Sequence, residues 1–213
     1  EMVGVGLTAV AARRFGEGRS TDASHIAADA LLFSVMLGLA VAVIGRSEIS
    51  KLFVLMQTPE DVTSLGMTYL STFLLGVPLV YGFFAIDAAF RASGDTRTPF
   101  ALLLASVGIT LVLDPVLMLG LGPFPRLGIA GAAIATIGTR GAAFVMGASI
   151  AVRRGLIRFG RFRSESIIAV CRVGLPTAVT GVTFSLIYVF LTRTTTQFGT
   201  PALAALGIGH RVE

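Results

Sequence analysis

The chain of 213 residues has no tryptophan, a single cysteine and few charged side chains. One cysteine, Cys171, excludes an intrachain disulfide and offers no thiolate cluster for a metal ion. Charged residues make up 14% of the chain and hydrophobic residues 54%, whereas charged residues are about a quarter of a soluble domain. Without tryptophan, any aromatic belt must come from phenylalanine and tyrosine. The composition excludes an ordinary soluble domain and predicts an all-α polytopic membrane protein.

Patterns for catalysis and for cofactors are also missing. No basic segment, short apolar core and cleavage site form a signal peptide at the start. His25 and His210 are far apart and lack the spacing of metal ligands. We find no Ser-His-Asp or Cys-His arrangement, phosphate-binding loop or zinc pattern. The sequence therefore predicts neither an enzyme nor a cofactor, so any pumping must use an ion gradient or another subunit.

Long apolar stretches predict one partial, five full and one partial membrane helix. The predicted helical segments are 2–12, 23–45, 62–91, 98–120, 129–152 and 167–198, and a last one begins at Gly199. Residues 46–61 are expected to form a connector with a short surface helix at 49–56, and Gly76 and Pro78 to break the third segment midway. Because both ends lie within apolar stretches, we expect an internal piece of a longer protein.

The basic residues of the predicted loops test this topology. Alternate loops carry ten of them on one side and three on the other. The ten are Arg13, Arg14, Arg19, Arg91, Arg97, Arg153, Arg154, Arg158, Arg161 and Arg163; the three are Arg46, Lys51 and Arg126. Since cytoplasmic loops carry an excess of Lys and Arg, the larger set is expected to be cytoplasmic.

Asp114 is the acid placed deepest in a predicted span. It lies about 16 residues after Thr98, roughly 24 Å into the helix at 1.5 Å per residue. A carboxylate there is costly and by default a functional candidate, able to bind a proton or contribute to a sodium site; the alternative is a structural acid bonded to a neighbouring helix. Pro115 predicts a kink beside it. Thr110, one turn earlier, can supply a hydroxyl on the same face.

Other charged residues fall within or near the predicted spans. Arg140 lies about twelve residues into its helix and should face protein or water, or pair with an acid, unless the helix is shifted along the sequence. Asp87 and Arg91 are four residues apart and predict an ordinary pair on one helix. Asp29 is expected at the membrane interface rather than in a coupling site. No sequence signal assigns roles to these acids beyond their positions.

Four motifs, taken together and in order, resemble the multidrug and toxic compound extrusion (MATE) family of transporters. They are VGLTAVAARRFGEG at 5–18, FRASGDTRTP at 90–99, LDPVLMLGLGPFPRLGIAGAAIAT at 113–136 and RVGLPTAVTG at 172–181. The resemblance implies a twelve-helix, two-lobe fold in the inner (plasma) membrane, with this chain covering about helices 2 to 7 and the start of 8. It divides the chain into a remainder of the N-lobe at 1–152, an inter-lobe linker at 153–166 and the start of the C-lobe at 167–213.

The resemblance also implies a function and a site. The expected activity is antiport, in which an organic, often cationic, compound leaves while sodium ions or protons enter by alternating access. Asp114 would belong to an N-lobe polar site, as a possible sodium ligand, with Thr110 where the family often has Asn and with Thr136 from the sixth helix. Arg91, Gly94, Asp95, Pro99 and Pro115 match structural positions of the motifs.

Two acidic residues that occur in the sites of family members are not found in this sequence. The first-helix Asp of the site would lie before Glu1, and no acid occurs in 177–186, where some members carry a Glu. Glu213 is an acid whose role the resemblance does not assign. The expected partners are a small organic substrate, the bilayer, the missing first helix and the remaining C-lobe, and not nucleic acid.

Two other functions stay open. One is a flippase of lipid-linked saccharides in the same superfamily, which would need a cationic cavity for phosphate groups; only Arg140 stands out in the sequence as an intramembrane cation. The other is a non-transporting membrane subunit.

Overall fold

The computed structural model describes residues 2–212, which form seven α-helices and no β-strand. The helices are α1 (Met2–Gly16), α2 (Ser20–Met56), α3 (Glu60–Ala92), α4 (Arg97–Leu119), α5 (Ile129–Arg153), α6 (Ser164–Thr196) and α7 (Thr200–Val212). Five of them, α2 to α6, are long and apolar enough to cross a membrane. The predicted fold class and the predicted number of full spans are therefore confirmed.

The predicted connector at 46–61 is largely wrong, because α2 continues as one helix of 37 residues to Met56. Packing against α3 explains the extension. Ile49 is buried in a small apolar cluster with Leu74, and Arg46 donates a hydrogen bond to a backbone carbonyl of α3. The helix ends only where Gln57 adopts the left-handed conformation, with φ 52°.

The predicted break in the third segment is also wrong, because α3 is a single helix through Gly76 and Pro78. Neighbouring helices support it on two sides. A Cβ built at Gly38 of α2 would lie 2.8 Å from the Pro78 Cα, and one at Gly76 would collide with Ile137 of α5. Such packing lets a membrane helix retain its course around a proline.

Helices α4 and α5 run antiparallel in a constant register. Leu102 reaches Gly147 at one end, where a built Cβ would lie 3.1 Å from the Leu102 Cδ1. At the other end, a Cβ at Gly131 would lie 2.8 Å from the backbone of Leu117. The same register pairs positions 114 and 135 between these ends.

The main core is built largely from alanine. It joins α1, α2, α3, α5 and α6 around Leu7, Phe90 and Val170, each of which is fully buried. Its buried alanines are Ala11, Ala23, Ala27, Ala28, Ala30, Ala85, Ala88, Ala89, Ala92, Ala143 and Ala151. Such small side chains let the helix backbones approach closely.

The crossing of α1 and α6 depends on two glycines, which we call the glycine seam. A Cβ at Gly6 would collide with the carbonyl oxygen of Val170, and a Cβ at Gly174 would collide with that of Met2. Each glycine therefore makes room for the backbone of the other helix. The two helices meet backbone to backbone at this point.

Asp95 organises the turn between α3 and α4. One carboxylate oxygen accepts hydrogen bonds from the backbone N–H groups of Arg97 and Thr98, both at 3.0 Å. The other accepts from the Thr98 hydroxyl and from Arg154, both at 2.6 Å. Gly94, at φ 85°, permits the turn. The hydrogen bond from the Thr98 hydroxyl, followed by those from the Thr98 backbone N–H, Arg154 and the Arg97 N–H, lowers the pKa of Asp95 to about 2.

We expect Asp95→Ala to lower the free energy of unfolding by about 1 kcal/mol or more, the usual loss when a helix cap is removed. Because the folded pKa of Asp95 lies below the ordinary value of about 3.9, its contribution is present above about pH 4 and is lost as the pH falls through about 2. Thermal unfolding in detergent measures both effects.

Glu165→Ala is the control, because Glu165 is exposed and has no ion pair among the described residues. Equal shifts of the melting temperature in the two variants would contradict the capping role of Asp95.

Candidate functional site

A pair of threonines joins α4 and α5 inside the predicted membrane region. The hydroxyl oxygens of Thr110 and Thr139 are 2.7 Å apart, and either hydroxyl can donate. Thr110 is also within hydrogen-bond distance of the Ser106 carbonyl, at 2.8 Å, and Thr139 of the Ala135 carbonyl, at 2.9 Å. Each hydroxyl has one hydrogen, so the pair retains lone pairs that can face a further donor or a cation.

Asp114 lies one helical turn beyond Thr110 on α4. Its side chain is half-buried, and its Oδ1 is buried without a hydrogen-bond partner in the described chain. In the register of α4 and α5, Ala135 and Thr136 of α5 lie level with Asp114 of α4. Since a buried carboxylate oxygen without a donor is costly, this atom is suited to a proton or a small cation. Helix α4 continues without interruption through Pro115 to Leu119; the kink stays a prediction.

Thr139, rather than Thr136, supplies the hydroxyl that reaches α4. Thr136 contributes its backbone carbonyl, which lies 3.1 Å from the Thr139 hydroxyl. Sequence reasoning singled out Thr136 and missed Thr139. The signal was available, because residues three apart share a helix face, but choosing between them requires the register against α4.

Arg140 faces protein, as one of the predictions for it requires. Its guanidinium carbon lies 5.2 Å from the ring centroid of Phe83 on α3. Its Nη1 is buried without a hydrogen-bond partner in the described part of the chain. The cation therefore rests on an aromatic face, and it makes no ion pair with Asp114 among residues 2–212.

The other acids differ in how well the sequence placed them. The predicted pair of Asp87 and Arg91 is confirmed. Asp29 is 5% exposed in the alanine-rich core, and its Oδ2 has no partner in the described chain; its place at the membrane interface stays a prediction. The small residues around it bring α2 deep into the bundle and bury the acid with them. Glu213 lies outside the described residues.

A cavity of about 730 Å³ lies between α1, α2 and α3 on one side and α6 on the other. Its walls carry hydroxyl groups and aromatic rings, and no charged side chain of the described residues lines it. The polar and aromatic lining residues are Ser34, Tyr81, Phe84, Thr177, Phe184 and Ser185. Such a lining suits an apolar ring-bearing molecule with a few hydrogen-bonding groups.

Comparison with known proteins places the chain among transporters. The MatE family profile matches residues 2–116. The probable multidrug resistance protein YoeA of Bacillus subtilis (strain 168) is 28% identical over 218 aligned positions, which cover 99% of this chain and 47% of YoeA. A FAD transporter of Shewanella oneidensis is 36% identical over 135 positions, which cover 63% of this chain and 30% of that protein. The chain spans about half the length of the curated relatives it matches most extensively.

Solved structures agree with the fold. The Vibrio cholerae MATE transporter VcmN in its bent form superposes with a TM-score of 0.81 at 25% identity, over 99% of this chain and 48% of VcmN. An inward-facing multidrug resistance MATE transporter of the MOP superfamily shares the fold, with a TM-score of 0.81 over 96% of this chain and 47% of that protein. The chain belongs to the MatE family, that of the multidrug and toxic compound extrusion transporters.

Proposed function

We propose that this chain forms part of an ion-coupled antiporter that exports organic compounds, and that Asp114 binds the coupling ion. The buried Asp114 Oδ1 supports this proposal. It lacks a hydrogen-bond partner in the described residues, and it lies one helical turn from the Thr110–Thr139 pair. An intramembrane acid without compensation is a typical site for a proton or cation. A sodium ion there would take oxygen ligands from Asp114 and from the hydroxyls and carbonyls around it.

The coupling ion acts through charge. Binding of a proton or sodium ion neutralises Asp114, which removes the cost of burying its charge and lets α4 and α5 pack differently around it. A ligand shifts a conformational equilibrium only by its differential affinity for the two states. The Asp114 site therefore needs to hold its ion more tightly in one state of the transporter than in the other.

The cavity between α1–α3 and α6 is the proposed substrate passage. Its hydroxyls and aromatic rings suit ring-bearing organic molecules, including cations held over an aromatic face. The names of two relatives, a probable multidrug resistance protein and a FAD transporter, are consistent with organic cargo. A lining without charged side chains in the described residues gives no support to a flippase for phosphate-bearing lipids.

The proposed orientation places the arginine-rich loops in the cytoplasm, in a plasma membrane. Ten basic residues on that side against three on the other carry this inference. Alternating access then requires the cavity to open at each face in turn, with α6 moving against α1–α3. The glycine seam of Gly6 and Gly174 holds α1 against α6 and opposes that movement on the arginine-rich side.

We expect Asp114→Asn to abolish gradient-dependent export, because the amide cannot take up a proton and binds a cation weakly. Efflux of a fluorescent organic cation from cells expressing the full-length protein, with and without a sodium or proton gradient, measures the effect. The coupling free energy that is lost, typically 1–3 kcal/mol, corresponds to a change of about five- to 150-fold in binding affinity between the ion-bound and ion-free transporter.

Asp87→Asn is the matched control, because it removes a carboxylate that already pairs with Arg91. Membrane insertion, read by detergent extraction and gel filtration, should stay normal in both variants. Undiminished gradient-dependent efflux in Asp114→Asn would refute the coupling role. If the unsubstituted protein exports the dye at the same rate with and without a sodium or proton gradient, antiport is refuted. If it exports no dye at all, a non-transporting subunit is favoured.

We expect Gly6→Ala and Gly174→Ala to separate α1 from α6, because the added methyl group collides with a backbone carbonyl. Overpacking of this kind costs about 1–3 kcal/mol and should raise the alkylation rate of the half-buried Cys171 by about fivefold or more. Gly181→Ala is the control on the same helix, since a Cβ there has no heavy atom within 4 Å. Alkylation rates that match the control would show that the seam does not hold the two helices together.

A further inference from the structure

A groove of about 480 Å³ between α2 and α5 opens beside the segment that joins α5 to α6. Its walls are mostly apolar, and its two polar lining residues are Ser149 and Arg153. The apolar lining residues are Leu31, Phe144, Ala148, Val152, Ile157 and Phe159. The Ser149 hydroxyl is already bonded to a carbonyl of its own helix, at 2.8 Å. Arg153 is therefore the lining side chain of this groove that still has hydrogen-bond donors available for an anion.

Arg153 is an exposed cation at the end of α5 and has no acidic partner among residues 2–212. Its neighbours are differently placed. Arg154 is held by Asp95 at 2.6 Å, and Arg163 lies 3.7 Å from Asp22. Asp95 and Asp22 are thus paired with other arginines, and the exposed Glu165 at the start of α6 forms no ion pair with Arg153. Arg153 therefore stays available for an anion from outside the chain.

The segment after α5 adds two more free cations and two aromatic rings. Arg158 and Arg161 are exposed and have no acidic partner in the part of the chain that the structure describes. They alternate with Phe159 and Phe162, which are 60% and 51% exposed. Aromatic and basic side chains in alternation are typical of a segment that lies at the surface of an anionic membrane.

Backbone contacts fix this segment next to the groove. The Arg158 N–H donates to the Ser24 carbonyl at 3.2 Å, and the Ser24 hydroxyl donates to the Gly155 carbonyl at 2.6 Å. Between these contacts Ile157 is 2% exposed. The arginines are therefore presented from a fixed backbone and not from a loose loop.

A second apolar groove, of about 840 Å³, lies on another side of α5 and is also lined by Arg153. Leu79 of α3 and Val145 of α5 are among its apolar walls. A group bound at Arg153 thus has an apolar channel on each side of α5. Two channels that meet at one cation match a molecule with two hydrocarbon chains and one anionic head.

We propose that Arg153 and its two grooves bind an anionic phospholipid from the leaflet on the arginine-rich side. Its phosphate contacts Arg153, an acyl chain fills the groove between α2 and α5, and Arg158 and Arg161 attract the headgroup. Basic pockets between membrane helices bind anionic headgroups by this chemistry. A zwitterionic lipid carries no net charge and should bind more weakly.

The test titrates the purified protein in detergent with phosphatidylglycerol or with phosphatidylcholine of the same acyl chains. Native mass spectrometry reads bound lipid, and thermal unfolding reads stabilisation. We expect phosphatidylglycerol to be retained and to raise the melting temperature, and Arg153→Gln to weaken it on the order of fivefold, the effect of one basic side chain near an anionic surface. Arg158→Gln with Arg161→Gln should weaken it further.

Arg46→Gln with Arg126→Gln is the matched control, because it removes two exposed charges that lie in the C-terminal part of α2 and in the turn between α4 and α5. Ala148→Phe, which fills the groove and leaves every arginine in place, should weaken lipid binding, whereas Ala105→Phe at an exposed site on α4 should not. Equal retention of both lipids, equal losses in the control pair, or full binding in Ala148→Phe would overturn the proposal. Soluble glycerol phosphate that competes as well as the lipid would assign the site to a free phosphate instead.

Discussion

Close approach of helix backbones holds this bundle together. Lipid gives no hydrophobic drive for helices to associate, so their contacts rest on van der Waals packing and on small residues that bring the backbones near each other. Gly38 meets Pro78, Gly131 meets Leu117, and Gly6 meets the carbonyl of Val170. A methyl group at any of these glycines would crowd backbone atoms, which cannot swing aside as a flexible side chain can. The positions of α2, α4 and α6 relative to their neighbours follow from these contacts.

Tight packing also explains why the polar groups inside the bundle matter. Asp29, Asp114 and Arg140 each bury a polar atom that has no partner in the described chain. Every such atom costs free energy unless a ligand, an ion or a rearrangement supplies a partner. They lie in different places: Asp29 in the alanine-rich core, Asp114 between α4 and α5, and Arg140 over Phe83. The bundle thus contains three separate buried polar atoms whose hydrogen-bonding capacity is not satisfied by this packing of the described helices.

The sequence predicted what depends on one helix at a time. Hydropathy gave the five spans, and spacing along α4 placed Asp114 one turn from Thr110. The sequence did not predict features that depend on how two helices pack against each other. Thr139 could be preferred to Thr136 only from the register of α5 against α4, and Asp29 could be placed in the core only once alanine packing had drawn α2 inward. The continuation of α2 beyond residue 45 likewise required its contacts with α3.

The length of α2 has a mechanical consequence. Its 37 residues span about 55 Å at 1.5 Å per residue, and the hydrocarbon layer is about 30 Å thick. Its last turns therefore stand outside the apolar layer as a stiff arm, and the Met56 carbonyl at the tip accepts a hydrogen bond from Thr196 at the end of α6. A rotation of about 15°, the size seen when subunits turn about an interface, would displace a tip some 20 Å from its pivot by about 5 Å. Small turns of the helices within the bilayer are thus magnified at the tip of α2.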